Sequence, residues 1–124
     1  MPRTVLIVED TDLCRETLEV ALMRLPGLKI QWVATAEEAL KCLAAQDVCA
    51  LITDLHLPSM DGFDLIEAVR SLPERSSLPI VVISGDSDPF TRVRLAELGA
   101  DAYFPKPYSP MEVRQKLEQL IDAG

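Results

Sequence analysis

Residues Ala50-Leu51-Ile52-Thr53-Asp54-Leu55-His56-Leu57-Pro58-Ser59-Met60-Asp61-Gly62 decide the fold of this chain. The segment opens as a short apolar run of strand length, stops at a carboxylate, Asp54, and passes into a turn marked by Pro58 and Asp61-Gly62. In an open α/β sheet, ligands bind in the crevice beyond the carboxyl ends of the strands, where the strand order reverses. An acid ending a buried central strand stands in that crevice. The other segments are read by what each would bring to face Asp54.

At 124 residues, 48% of them hydrophobic, the chain suits one domain with a substantial core and is too short for two, so residues 1–124 are expected to form a single domain. No run approaches the roughly 18 apolar residues of a membrane helix. Met1-Pro2-Arg3, leading straight into a strand, does not resemble a secretory signal. No membrane association and a cytoplasmic location are the expectations. A net charge of −8 argues against direct nucleic-acid binding by this domain, which would need a basic face to displace counterions, and favours a protein or a cation as partner. Cys14, Cys42 and Cys49 are odd in number and set in apolar patterns, as expected of buried free thiols.

Thr4–Val8 is a continuous apolar run ending in Glu9-Asp10, and it suits a strand covered on both faces. Helical spacing of Cys14, Leu18, Ala21, Leu22 and Leu25 predicts a helix over 12–25, stopped by Pro26-Gly27. Leu28–Val33 alternates more and is read as a strand near an edge. Thr35-Ala36-Glu37-Glu38 is a capping box, followed by a helix with Ala36, Ala39, Leu40 and Leu43 on one stripe. Then come the organising strand over about 49–53, a helix over 63–72, a buried strand over 78–84 closing in Gly85, and a helix over about 89–98 stopped by Gly99. Ala102-Tyr103-Phe104 is a short fifth strand. Ser109-Pro110-Met111-Glu112 is a second capping box, with proline at the first helical position, opening the last helix. This strict (βα)5 alternation predicts an α/β fold, a parallel sheet with helices on both faces. Five such strands favour the flavodoxin-like order 2-1-3-4-5, which makes the first and third strands neighbours.

That order would bring Glu9, Asp10 and Asp54 into one small volume. Carboxylates at ~5 Å and an effective dielectric of ~20 repel by on the order of 3 kcal/mol per pair, so the cluster calls for a cation or a held proton. Oxygen ligands at a hydrated, partly open site suit Mg²⁺. A single strand-end acid is ordinarily a cap or a solvated loop residue; three from two adjacent strands are hard to explain that way. Ser84 ends the fourth strand and Lys106 follows the fifth. A hydroxyl and an ammonium facing a metal-bound carboxylate can neutralise the oxygens of an arriving phosphoryl group, and a carboxylate can act as nucleophile toward phosphorus. Asp54 is the candidate nucleophile.

Val8-Glu9-Asp10, the segment from Asp54 to Gly62, Ser84-Gly85 and Phe104-Pro105-Lys106-Pro107 together resemble the signature of response-regulator receiver domains of two-component signalling, over roughly 4–121. The resemblance implies phosphorylation of Asp54 by a histidine kinase or histidine-phosphotransfer protein, and a downstream protein or output domain that reads the result. It implies Mg²⁺ held by Asp10, Asp54 and the backbone carbonyl of His56, with Glu9 assisting through water. Ser84 and Lys106 would hold phosphoryl oxygens, Ser84 and Tyr103 would form the switch, and the Lys106–Pro107 bond would be cis. Self-promoted phosphoryl transfer, rather than turnover of an external substrate, is the implied activity. A haloacid-dehalogenase-like phosphatase is the competing enzyme class, but its Asp-x-Asp motif follows the first strand, and Asp54 follows the third. A phosphate-independent interaction module is the other alternative; it usually lacks an acid or the lysine, and none is missing here. His56 and Asp86 would flank the approach of a hydrolytic water, and an imidazolium at His56 would slow dephosphorylation at mildly acidic pH.

Overall fold

The computed structural model describes residues 3–123 other than 24, 59, 86 and 87, with the side chains of 12–15 and 123 outside the description. Strands and helices alternate: β1 (Arg3–Val8), α1 (Asp12–Leu22), β2 (Leu28–Val33), α2 (Ala36–Ala45), β3 (Ala50–Thr53), α3 (Gly62–Arg70), β4 (Ile80–Ser84), α4 (Phe90–Leu98), β5 (Ala102–Pro105) and α5 (Pro110–Ala123). All strand pairs are parallel and the order is β2-β1-β3-β4-β5, as expected.

Successive side chains of a strand point to opposite faces, and the core divides accordingly. Val5 and Ile7 of β1, Ala50 and Ile52 of β3, and Val81 and Ile83 of β4 meet Leu18 and Leu22 of α1 and Val113 and Leu117 of α5. Leu6, Val8, Leu51, Ile80 and Val82 meet α2, α3 and Leu95 of α4 on the other face. The inner strands β1, β3 and β4 are therefore buried on both sides, which is why they read as unbroken apolar runs. β2 lies at an edge and is half-buried.

Several boundaries differ from the sequence reading for local reasons. α1 ends at Leu22 rather than Leu25: Leu25 N donates to Leu22 O in a tighter turn, and Gly27 takes a left-handed φ of 75°. β4 begins at Ile80 rather than Leu78, because Pro79 has no N–H to give a ladder. α3 stops at Arg70, and a 3₁₀ turn at Pro73–Arg75 intervenes that the periodicity does not reveal. Gly99 ends α4 with φ 97°, its N–H bonded to Ala96 O and that of Ala100 to Leu95 O, the two bonds of a Schellman motif. The Thr35 box differs in detail. Its hydroxyl accepts from Glu38 N at 3.1 Å and also donates to Glu38 Oε1 at 3.1 Å.

Cys42 and Cys49 are free thiols but half-buried rather than buried. Burial pushes the Cys49 thiol above its ordinary 9.0, opposed by the charge of Arg3. The side chain of Cys14 lies outside the described residues.

Candidate phosphoryl-acceptor site

The last residues of β1 and β3 pair, Val8 with Thr53, so Glu9 and Asp54 leave the sheet side by side. Backbone bonds hold both exits: Asp54 N donates to Val8 O at 3.2 Å and Glu9 N to Val33 O at 3.1 Å. The two residues are almost inaccessible, at 6% and 4% exposure. Asp54 Oδ1 accepts the backbone N–H groups of Leu55 (2.6 Å) and His56 (3.1 Å), and Oδ2 accepts Lys106 Nζ at 2.7 Å. The same ammonium lies 3.4 Å from Glu9 Oε2, while Glu9 Oε1 accepts Thr11 N at 3.1 Å. Each of the four carboxylate oxygens thus has a donor, the condition on which two adjacent acids can be buried.

Lys106 follows β5 immediately. Its backbone N–H bonds to Ser84 O at 2.8 Å, Ser84 pairs with Pro105 in the sheet, and the Lys106–Pro107 bond is cis. Ser84 itself is wholly buried at the end of β4.

Behind Asp54 the chain is tightly folded. Thr53 Oγ1 donates to Asp54 O at 2.8 Å, and Gly62 N to Leu55 O at 2.8 Å. A Cβ on Gly62 would lie 2.5 Å from Asp54 O and 2.7 Å from Leu55 Cα. The sequence predicts a turn at Asp61-Gly62. Asp61 in fact caps α3, its Oδ1 accepting Asp64 N at 2.9 Å, and Gly62 is needed because backbone passes against backbone there. Thr11 and Thr53 are residues of this site that the motifs did not single out, and the close backbone approach that requires Gly62 was not read from them either. A glycine opening a helix just after a strand-end acid was the available signal.

Glu9, Asp54 and Lys106 are brought into direct contact, with Ser84 at the adjoining strand end. Asp10 is exposed, with Thr11 Oγ1 3.5 Å from its Oδ1. His56 contributes its backbone N–H to Asp54, and its side chain is exposed. Tyr103 pairs with Val82 in the sheet, and its half-buried ring has the Arg92 guanidinium carbon 4.8 Å from its centroid. Asp86 lies outside the described residues. Among the described residues no three His, Cys, Asp or Glu side chains converge on one point. Where three mutually repelling acids were expected, the Lys106 ammonium joins two of them and Asp10 stands at the solvent edge. The donors are all oxygen, and the pocket already accommodates one cationic group, so a hard divalent ion with oxygen ligands fits the residues present.

A model of the response regulator receiver domain matches residues 5–118. The chain is 34% identical over 119 residues to the transcriptional regulatory protein GltR of Pseudomonas aeruginosa, covering 96% of this chain and 49% of that protein. It therefore spans about half the length of the curated relatives it matches. Among solved structures, a protein described as a response regulator from Chloroflexus aurantiacus J-10-fl superposes with a TM-score of 0.89 at 34% identity, over 98% of this chain and 99% of that one. The receiver domain of the sensor histidine kinase PA1611 from Pseudomonas aeruginosa PAO1 shares the fold, with a TM-score of 0.86 at 24% identity over 98% and 99% of the two chains. That domain holds a magnesium ion in its active-site cleft. A family match of this extent, on a sheet of this topology, makes the chain a member of the response regulator receiver domains, the phosphoryl-accepting modules of two-component signalling.

Proposed function

We propose that Asp54 is the phosphoryl acceptor of a single receiver domain formed by residues 1–124. The observation that carries this is the 2.7 Å contact between Lys106 Nζ and Asp54 Oδ2. It puts an ammonium where the oxygens of a group transferred to Asp54 would lie. A carboxylate oxygen of Asp54 attacks the phosphorus of a phosphohistidine on a histidine kinase or histidine-phosphotransfer protein. The O–P bond forms as the N–P bond breaks, and the donor imidazole leaves with that electron pair and takes a proton from solvent. The backbone N–H groups of Leu55 and His56 fix the plane of the carboxylate through Oδ1. Lys106 passes its hydrogen bond from Oδ2 to the phosphoryl oxygens, and the Ser84 hydroxyl supplies a second donor.

Glu9, Asp10, Asp54 and the His56 carbonyl are the groups that would hold Mg²⁺, and the magnesium in the cleft of the PA1611 receiver domain supports that assignment. Bound there, the ion supplies positive charge against the phosphoryl oxygens. Tyr103 would turn inward as Ser84 engages the phosphoryl group, altering the surface read by a downstream protein or output domain in the cytoplasm.

Incubation with acetyl phosphate and Mg²⁺, followed by intact mass, tests the assignment. A single phosphoryl increment that is lost in Asp54→Asn is expected. No increment on the parent chain, or one retained in Asp54→Asn, overturns it.

A further inference from the structure

We infer that Arg92 restrains the ring of Tyr103 and thereby sets how readily this domain switches; the inference rests on the phospho-acceptor reading above and names a residue that regulates it. α4 is thinly anchored in the core. Of its nine residues only Thr91 and Leu95 are buried, while Phe90 and Val93 are 74% and 56% exposed. Side-chain contacts from arginines supplement that packing. Arg94 Cζ lies 3.9 Å from the ring centroid of Phe63 on α3, and Arg92 Cζ lies 4.8 Å from that of Tyr103 on β5. At the far end, Arg70 Nη2 and Nε donate to Gly99 O at 2.7 and 3.2 Å and tie the end of α4 to α3.

The Tyr103 ring packs at the margin of the core shared by α2, α3 and α4. The Arg92 guanidinium, set on exposed α4 backbone, reaches this ring within the range of a cation–π contact. With α4 held at Gly99, an inward turn of the ring moves it away from the guanidinium and gives that contact up. The contact therefore stabilises the half-buried position and leaves the inward position less populated. A ligand or modification that favours the inward position works against this bias. Cation–π contacts at exposed sites correspond to about a 2- to 5-fold change in such a population ratio. Arg92 is a positioning residue in this scheme, since it acts on the switch through Tyr103 and touches no reacting atom.

The chain has two tyrosines, Tyr103 and Tyr108, so fluorotyrosine labelling yields two ¹⁹F signals, which Tyr103→Phe assigns. In the parent chain, beryllofluoride with Mg²⁺ should move the Tyr103 signal to a new saturated position. In Arg92→Ala, without beryllofluoride, the signal should already lie part of the way there, equivalent to an inward-to-outward ratio about 2- to 5-fold higher. Arg94→Ala removes the other arginine–ring contact of α4 and should leave the Tyr103 signal where the parent has it. A Tyr103 signal that beryllofluoride does not move, on a chain whose mass confirms phosphorylation by acetyl phosphate, overturns the inference while leaving Asp54 as acceptor. A signal that moves in the parent but is unchanged in Arg92→Ala, or that Arg94→Ala moves equally, overturns the role of Arg92 alone.

Discussion

Lys106 stands between two carboxylates that water scarcely reaches, and the burial of Glu9 beside Asp54 depends on it. In Lys106→Met the two acids would face each other without the ammonium. Removing one partner of a buried ion pair costs about 3–5 kcal/mol. The Lys106 side chain is 29% exposed, so solvent replaces part of what is lost, and a destabilisation of about 1–3 kcal/mol is expected. Urea melts at low salt check this, and Mg²⁺ should restore more stability to Lys106→Met than it adds to the parent. A variant as stable as the parent would mean that the acids are hydrated rather than held by the lysine. The chemistry of these residues was legible in the chain, since acids after two strands and a lysine after a third imply a charged site. Which oxygen meets which donor was not, because Lys106 and Glu9 are 97 positions apart and their contact exists only once the sheet has formed.

Among the helices, α3 begins directly against Asp54, the proposed acceptor. Its first residue, Gly62, lies against the backbone of Asp54 and Leu55, so Gly62→Ala would push a methyl group to within 2.5 Å of Asp54 O. Backbone on both sides leaves little room to yield, and overpacking of this kind costs about 1–3 kcal/mol. Because the atom displaced belongs to the proposed acceptor residue, phosphorylation by acetyl phosphate should slow as well as stability fall. Thermal melts and the rate of mass gain measure the two effects, and an unaffected rate would show that α3 can shift without disturbing Asp54. The other end of α3 shows what periodicity misses. Arg70 donates to Leu78 O, Gly99 O and Arg75 O, and pairs with Asp101 at 3.2 Å. Asp101 Oδ2 in turn accepts Ile80 N, and Arg75 donates to Leu43 O and Gln46 O at the end of α2. The helical pattern assigns neither arginine a partner; in the fold they donate to carbonyls at the ends of α2 and α4 and in the segment before β4.

For the molecule as a whole, the strand-end site ties β1, β3, β4 and β5 together, so an ion bound there should stabilise the entire domain. A ligand that binds only the native state adds RT ln(1 + [L]/Kd) to stability, and Mg²⁺ should raise the thermal midpoint of the parent more than that of Asp10→Ala. Equal rises in the two chains would remove Asp10 from the ion's ligands. The alternation of strands and helices, the two-sided burial of β1, β3 and β4, the edge position of β2 and the strand order were all determined by the sequence itself. Hydrophobic periodicity records how many faces an element must bury, and parallel strands joined by helices have few ways to close. The position of Asp54 at the end of a central strand was legible at the same level, since a strand-end acid has a fixed place once that order is adopted. Only the tertiary structure decided that Lys106 bridges Glu9 and Asp54, that Asp10 stays exposed, that Gly62 must lack a side chain and that Arg92 reaches Tyr103. These facts depend on atoms from distant segments meeting within a few tenths of an ångström, and a pattern of residue types along a chain carries no distances between segments.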